Sequence, residues 1–334
     1  MIRLAVTIDT EADDQWDHGA PLTTRNVAYW APFQDLCERH GVTPTYLLTT
    51  EIIQDERAHE LLTEWSRRGA AEIGIHLHPW TTPPFVDRPG FRHNDVVHAF
   101  PSQLPTDLLR EKVSVLTEQF VAAFGRIPTS HRAGRFGFDA RLAAFLAEEG
   151  CIVDSSVSPS CSWSRHTGLN GEGGPDFRGQ TVYPFLMNGN GDRSLVEIPV
   201  TILPTYAALR RSPKLLTAYQ SPPVRAVRKL FPARWLRPQP MWLMPRPGLD
   251  SQDLADLWCC VSDLGLDTAV MMFHSSELMP GGSPFRPDSQ SVRGLLECLD
   301  AFFGFVARQG GTFSMLTPMA AELLSRDRLA AKSL

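Results

Sequence analysis

Nowhere in its 334 residues does the chain reach the roughly 18 consecutive apolar positions that a helical membrane span requires, which excludes a span-type membrane protein. Cysteine is sparse. The six cysteines, Cys37, Cys151, Cys161, Cys259, Cys260 and Cys298, show no metal-type spacing, and in a chain of this length they read as reduced core residues rather than a disulfide framework. A Gly-x-Ser-x-Gly turn is missing, so the serine nucleophile that such a turn presents is not expected. Internal repeats and low-complexity tracts are missing as well. Met1 to Ile8 lead into an apolar strand pattern without a basic region, apolar run and cleavage site in series, and the expected location is cytoplasmic.

Acidic residues are absent from Pro199 to Leu249, where nine arginines and lysines stand. The whole chain carries −5, so the remainder carries −14. This asymmetry describes either a solvated basic face on an acidic barrel or a surface that meets an anionic or lipid-linked substrate. Within residues 210–237, basic residues interleave with Val227, Leu230, Phe231, Trp235 and Leu236, a pattern suited to peripheral contact with a membrane surface. An acidic chain lacking any recognised nucleic-acid module is not expected to bind nucleic acid.

Short apolar runs alternate with helical stretches, the pattern of strand–helix repeats around a parallel sheet. Strands are expected at Leu4–Asp9, Thr45–Leu48, Glu72–His78, Cys151–Val153, Val196–Ile198, Ala269–His274 and Thr312–Met315. Helices are expected at Val27–His40, Ala58–Arg68, Thr106–Phe124, Ala140–Glu149, Leu254–Leu264, Val292–Gln309 and Pro318–Arg326. Gly41, Gly69, Gly125, Gly150, Gly265 and Gly310 each follow a helical stretch, as left-handed helix stops do. About seven such units predict one α/β barrel over residues 1–334 rather than an open sheet. Two segments rich in proline, glycine and aromatics, at about 79–105 and 159–248, interrupt the pattern as long insertions over the carboxyl end of the barrel.

The residues able to do chemistry fall at predicted strand ends. Asp9 and Glu11 share one face of the first strand, where two carboxylates repel unless a cation or an arginine intervenes. His76 and His78 share a face in the same way, with Cα atoms roughly 6 to 7 Å apart, close enough for two imidazoles to meet at one ion. Two histidines and a carboxylate form the donor set of catalytic zinc sites that leave a position open. A hydrogen-bonded pair of core histidines is the plainer alternative. Arg132 and Arg135 lie in a glycine-containing turn, Thr129 to Gly137, from which Arg132 could hold Asp9 by a bidentate bond. His274 ends an apolar strand, as a proton donor, a third ligand or a structural histidine. Trp80, Trp163, Trp235 and Trp242 are of a type that stacks on sugar rings or packs loops.

In order and spacing, Val6-Thr7-Ile8-Asp9-Thr10-Glu11, Glu72 to Pro79, Arg132 to Arg135, Val153-Asp154-Ser155-Ser156 and Phe273-His274 resemble the five motifs of the polysaccharide deacetylase family. This family is also called the NodB-homology or carbohydrate esterase family 4 domain, and within it the chain resembles the lipopolysaccharide-biosynthesis branch named WalW. The resemblance covers about Ile2 to Leu316. It implies a distorted (β/α)7-type barrel that removes acetyl groups from sugars with a divalent metal, most commonly zinc. It further implies Asp9 as general base, Glu11, His76 and His78 as metal ligands, His274 as general acid, Arg132 as the residue that positions Asp9, and Asp154 as the group that tunes His274. Arg135 and Trp80 would contact the substrate. The chain departs from the family by placing Thr10 between its two acids and only Leu77 between its two histidines. Asp13, Asp14, His18, His93 and His98 therefore stand beside Glu11 as candidates for the third ligand. The expected reaction is N-deacetylation of a sugar, against hydrolysis of another carbon–nitrogen amide or a non-catalytic sugar-binding role.

Overall fold

A computed structural model describes residues 1–17, 21–85, 99–188, 193–204, 218, 221–224, 240–325 and 331–332. Its organising element is strand β1, Arg3–Thr10, all eight residues of which are buried. Alternation explains why burial on both faces is stable. Leu4, Val6 and Ile8 join the large cluster under the helices, while Ala5 joins a second cluster with Val270, Met272 and Val196 inside the curl of the sheet.

The other strands are β2 (Thr45–Leu48), β3 (Glu72–Leu77), β4 (Ser130–Ala133), β5 (Val153–Asp154), β6 (Phe185–Asn188), β7 (Ser194–Glu197), β8 (Ile202–Pro204), β9 (Pro240–Trp242), β10 (Thr268–His274), β11 (Thr312–Phe313) and β12 (Ala331–Lys332). Ten of them form one sheet in the order β10-β1-β2-β3-β4-β5-β7-β6-β12, with β11 beside β1. All pairings in it are parallel except β6 with β7. The curl is closed across its open side by backbone bonds: Thr201 N–H donates to Val270 O, Leu243 N–H to Thr201 O and Met272 N–H to Leu243 O. The fold is thus α/β, a curled, mostly parallel half-barrel of the (β/α)7 type.

The helical stops were legible: all six glycines adopt left-handed φ, from 66° at Gly41 to 99° at Gly150. Three expectations change. Residues 129–137 are not a turn throughout, because Ser130–Ala133 forms β4 between β3 and β5. Only the pairing shows it, since Ser-His-Arg-Ala has no apolar pattern of its own. The helix expected at Val27–His40 divides at Trp30 into a 3-10 turn, Arg25–Tyr29, and a helix, Ala31–Arg39, with Pro32 in its first turn. Within the second insertion the strand expected at Val196–Ile198 is present as β7, and an unexpected strand, β6, pairs antiparallel with it and extends the main sheet. Most of 210–237, including Trp235, lies outside the described residues. All six cysteines are free thiols. Among the described residues no helix is long and apolar enough to cross a membrane.

Candidate active site

Parallel pairing gathers strand ends at one rim of the sheet, which is why residues far apart in sequence meet there. Asp9 stands opposite His274 in the β1–β10 register, and His76 opposite Arg132 in β3–β4. Around this rim lies a cavity of about 370 Å³, within the range of small-molecule sites, with Asp9, Glu11, His76, His78 and His274 in its lining.

Glu11, His76 and His78 form a buried triangle. His78 Nε2 is 2.9 Å from His76 Nε2 and 3.3 Å from Glu11 Oε2, and His76 Nε2 is 3.9 Å from Glu11 Oε2. The point in their plane equidistant from the three atoms lies about 2.0 Å from each, a zinc–nitrogen or zinc–oxygen bond length. His76 is prepared as a ligand. Its Nδ1–H donates to Arg132 O at 2.8 Å, so the neutral ring turns a bare Nε2 toward the triangle. Burial lowers its pKa to about 4 and keeps the ring neutral. Burial also pushes Glu11 up to about 8, with Asp9, Glu51 and Glu277 adding to the effect against the pull of His274. A carboxylate so placed requires a proton or a cation, and the two imidazoles beside it make the donor set fit a divalent metal. Among the described residues this is the group of three that fits an ion. Asp13 is not part of it, since its oxygens accept from Asn26, Thr23 and Arg25, and Asp14 stands outside it. His18, His93 and His98 lie outside the described residues.

Arg132 is fully buried and has every arm occupied. Nη1 donates to Asp9 Oδ1 at 2.6 Å, Nε to Ser155 O at 2.6 Å, and Nη2 to Thr7 Oγ1 at 2.9 Å and Ser155 Oγ at 3.1 Å. The contact with Asp9 is therefore single, not bidentate. It leaves Asp9 Oδ2 facing the triangle, 4.0 Å from His76 Nε2. Burial alone would raise the Asp9 carboxyl, but Arg132, with His76 and His274, holds it below its ordinary value, so it is ionised at neutral pH.

His274 has a partner that sequence reading missed. Glu277, buried in the 3-10 turn Ser275–Leu278, accepts from the His274 backbone N–H at 3.2 Å and lies 3.4 Å from its Nδ1. Burial opposes charge on this ring, yet Glu11, Glu277 and Asp9 together raise its pKa to about 9. The spacing His-x-x-Glu across a strand end is the signal that could have found Glu277. Asp154, expected to tune His274, is placed elsewhere: it accepts from His131 Nδ1 at 2.5 Å, Ser156 N–H at 2.8 Å and Ser156 Oγ at 2.9 Å. It thereby holds the Ser155–Ser156 turn against which Arg132 rests.

A cation at the triangle would offset the contribution of Glu11, leaving Glu277 as the main carboxylate that keeps His274 protonated. Glu277→Gln is accordingly expected to move the alkaline limb of activity to lower pH and to reduce the rate by about 10- to 100-fold. A pH–rate profile identical to that of the parent chain would remove Glu277 from this role.

The loop after β3 is pinned by Lys112, whose Nζ donates to Pro79 O and Pro84 O at 3.0 Å each and also to Thr82 O. Lys112 occupies an apolar position of the helix Thr106–Phe124, between Leu108, Leu109, Val113 and Leu116, and that misplaced charge is its sequence signal. Trp80, in the pinned loop, lies 4.2 Å from the His78 ring and donates from Nε1 to Gln15 Oε1 at 2.9 Å. Gly134 is required, because a Cβ there would come within 2.6 Å of His78 Cδ2 and 2.7 Å of Leu77 O. Arg135 and Phe136 follow with φ of 52° and 58°, each costing about 1–2 kcal/mol for a non-glycine residue. Strain of this kind gathers at functional sites, and here it turns both side chains into the cavity lining.

The chain matches no model of a known protein family and no curated protein. Solved structures do resemble it. A Mycobacterium smegmatis protein assigned as a polysaccharide deacetylase shares 15% identity with a TM-score of 0.53, covering 99% of this chain and 93% of that one. A Pseudomonas aeruginosa PAO1 protein assigned likewise shares 12% identity with a TM-score of 0.51, over 98% and 93%. The PuuE allantoinase shares 13% identity with a TM-score of 0.50, over 98% and 92%. At these identities the likeness concerns the fold.

Proposed function

We propose that this chain is a metal-dependent hydrolase that removes the acetyl group from an N-acetylated sugar, in the biosynthesis of a surface polysaccharide or lipopolysaccharide. The observation that carries the reading is the buried Glu11–His76–His78 triangle set between an ionised Asp9 and a protonated His274. The deacetylase names of two of the similar structures agree with it.

Glu11, His76 and His78 would hold a divalent ion, zinc being the best fit to that donor set, and when bound it would supply Lewis acidity for the attacking water and the acetyl carbonyl. Asp9 Oδ2 faces the same space and accepts the proton of the attacking water, while Oδ1 stays bound to Arg132. Arg132 keeps Asp9 ionised and fixes its orientation. His274, on the neighbouring strand, donates a proton to the departing amine as the carbon–nitrogen bond breaks and acetate is released. Glu277 favours the charged imidazolium until that step. Trp80, Arg135, Trp163 and Trp242 line the cavity and bind the sugar.

The test is acetate release from N-acetylated sugars by the full chain, stripped of metal and then titrated with Zn²⁺. Expected are a rise to full rate at one ion per chain and no turnover of allantoin, the substrate class that the allantoinase likeness raises. Turnover of allantoin without acetate release would favour the second amide hydrolase reading. Sugar binding without any turnover would favour a non-catalytic carbohydrate-binding protein.

A further inference from the structure

Resting on the proposed reaction, we infer that Arg286 is a positioning residue for the proton donor: it is the permanent countercharge of Glu277 and holds that carboxylate in line with His274 through the loss and return of the His274 proton. The observation is a buried row of charge that leads away from the cavity. His274 lines the cavity, Glu277 Oε1 lies 3.4 Å from its Nδ1, and Glu277 Oε2 lies 3.6 Å from Arg286 Nε. Glu277 is 1% exposed and Arg286 6%, so water and salt screen the contact little. Both facing atoms are buried without a hydrogen-bond partner, and at 3.6 Å they form an ion pair rather than a hydrogen bond.

The chain after the turn that carries Glu277 is folded to make this contact. It reverses at Gly281, where φ is 73°; Gly281 N–H donates to Arg286 O at 2.7 Å, and Arg286 N–H donates to Ser283 O at 3.2 Å. Gly282 packs so closely on the turn that a Cβ there would collide with Ser276 O. The reversal returns Arg286 to the side of Glu277 and puts Phe285 in the cavity lining. On its other side the guanidinium is anchored by Pro245 O, which accepts from Nη2 and stands between the lining residues Met244 and Arg246.

A carboxylate this deep needs a cation beside it at every stage of the reaction. His274 is that cation only while protonated, and once its proton has passed to the departing nitrogen the ring is neutral. An arginine keeps its charge throughout. Arg246 also feels the charge of Glu277, but it lies over the Trp242 ring at 5.1 Å, outside ion-pair distance of that carboxylate. Burial lowers the pKa of Arg286, and Glu277 acts against that fall, so each of the pair supports the charge of the other.

The metal-loaded full chain is assayed with N-acetylglucosamine, with N,N′-diacetylchitobiose and with para-nitrophenyl acetate. The amide nitrogen must take a proton as its bond to carbon breaks, whereas the nitrophenolate leaves without one. Arg286→Gln is therefore expected to lower kcat on the sugars by about 10- to 100-fold with KM little changed, and to alter ester hydrolysis by less than about threefold. Arg286→Lys, which keeps the charge, is expected to restore part of the sugar rate. Because Arg286 acts through Glu277, the double variant Glu277→Gln with Arg286→Gln is expected to be within about twofold of Glu277→Gln alone. An unchanged sugar rate, an equal loss on sugar and ester, or losses that multiply in the double variant would overturn the inference and leave Arg286 as a brace between the turn and Pro245. Should the ester not be turned over, the double variant decides. Should Arg286→Gln fail to fold, the comparison passes to Arg286→Lys, where a fall of about threefold or more on the sugar alone upholds the inference and no fall or an equal one overturns it. A parent chain that hydrolyses allantoin but releases no acetate from either sugar overturns the proposed reaction, and the same comparisons are then made with allantoin against the ester. A parent chain that hydrolyses no amide overturns both.

Discussion

On the proposed reaction, His76→Ala is expected to leave the protein folded but unable to hold a divalent ion, and to lower acetate release on the order of 1,000-fold or more, because that Lewis acid would carry several kcal/mol of the rate enhancement. The physical case is the preparation of this one nitrogen. Its ring is locked by the Nδ1–H bond to Arg132 O, kept neutral by burial, and seated in a triangle whose centre suits a zinc bond length. Removing it leaves Glu11 and His78, too few donors for a tight site in competition with water. Metal content measured beside the rate decides the matter. A variant with full occupancy and full activity would show that His76 is not a ligand, whereas a metal-free but active variant would remove the ion from the reaction.

Asp9→Asn is the complementary case, with metal retained and activity lost by about 10² to 10⁴-fold. The amide can still accept from Arg132 through its oxygen, so orientation survives while the ability to take a proton does not. The loss of charge also leaves Arg132 buried among Ser155 and Thr7 oxygens without its anion. Breaking a buried pair outright costs about 3–5 kcal/mol, and the amide spares part of that. A thermal melt and metal analysis run with the kinetics separate the two effects: loss of rate in a folded, metal-bearing variant identifies the base. Retention of most of the rate would transfer that role to another group.

Much of the architecture was open to reading from local patterns. The alternation in Leu4 to Asp9, the apolar run into His274 and the glycine after each helix are short-range signals, written in side-chain period and backbone freedom. Strand β4 was not open to reading, because four residues with a serine, a histidine and an arginine carry no apolar period. They become a strand through the carbonyls and N–H groups that β3 and β5 present on either side. The same dependence on neighbours explains why Thr7, Ser155, Glu277 and Lys112 were given no role: each acts through a contact made in space, Thr7 with Arg132 over 125 positions.

By itself the sequence determined an α/β chain and the chemical types at its strand ends, two carboxylates, two close histidines and a final histidine, because period two puts alternate residues on one face, with an arginine it placed in a turn. Tertiary structure alone decided which of them meet. Parallel register set Asp9 against His274 and His76 against Arg132, brought Glu11 rather than Asp13 to the histidine pair, gave His274 Glu277 in place of Asp154, and reduced the expected bidentate grip on Asp9 to a single bond. The reason is that ligand geometry and pKa depend on atoms within a few ångströms and on exclusion of water, and neither is a property of any residue until the sheet has curled around it.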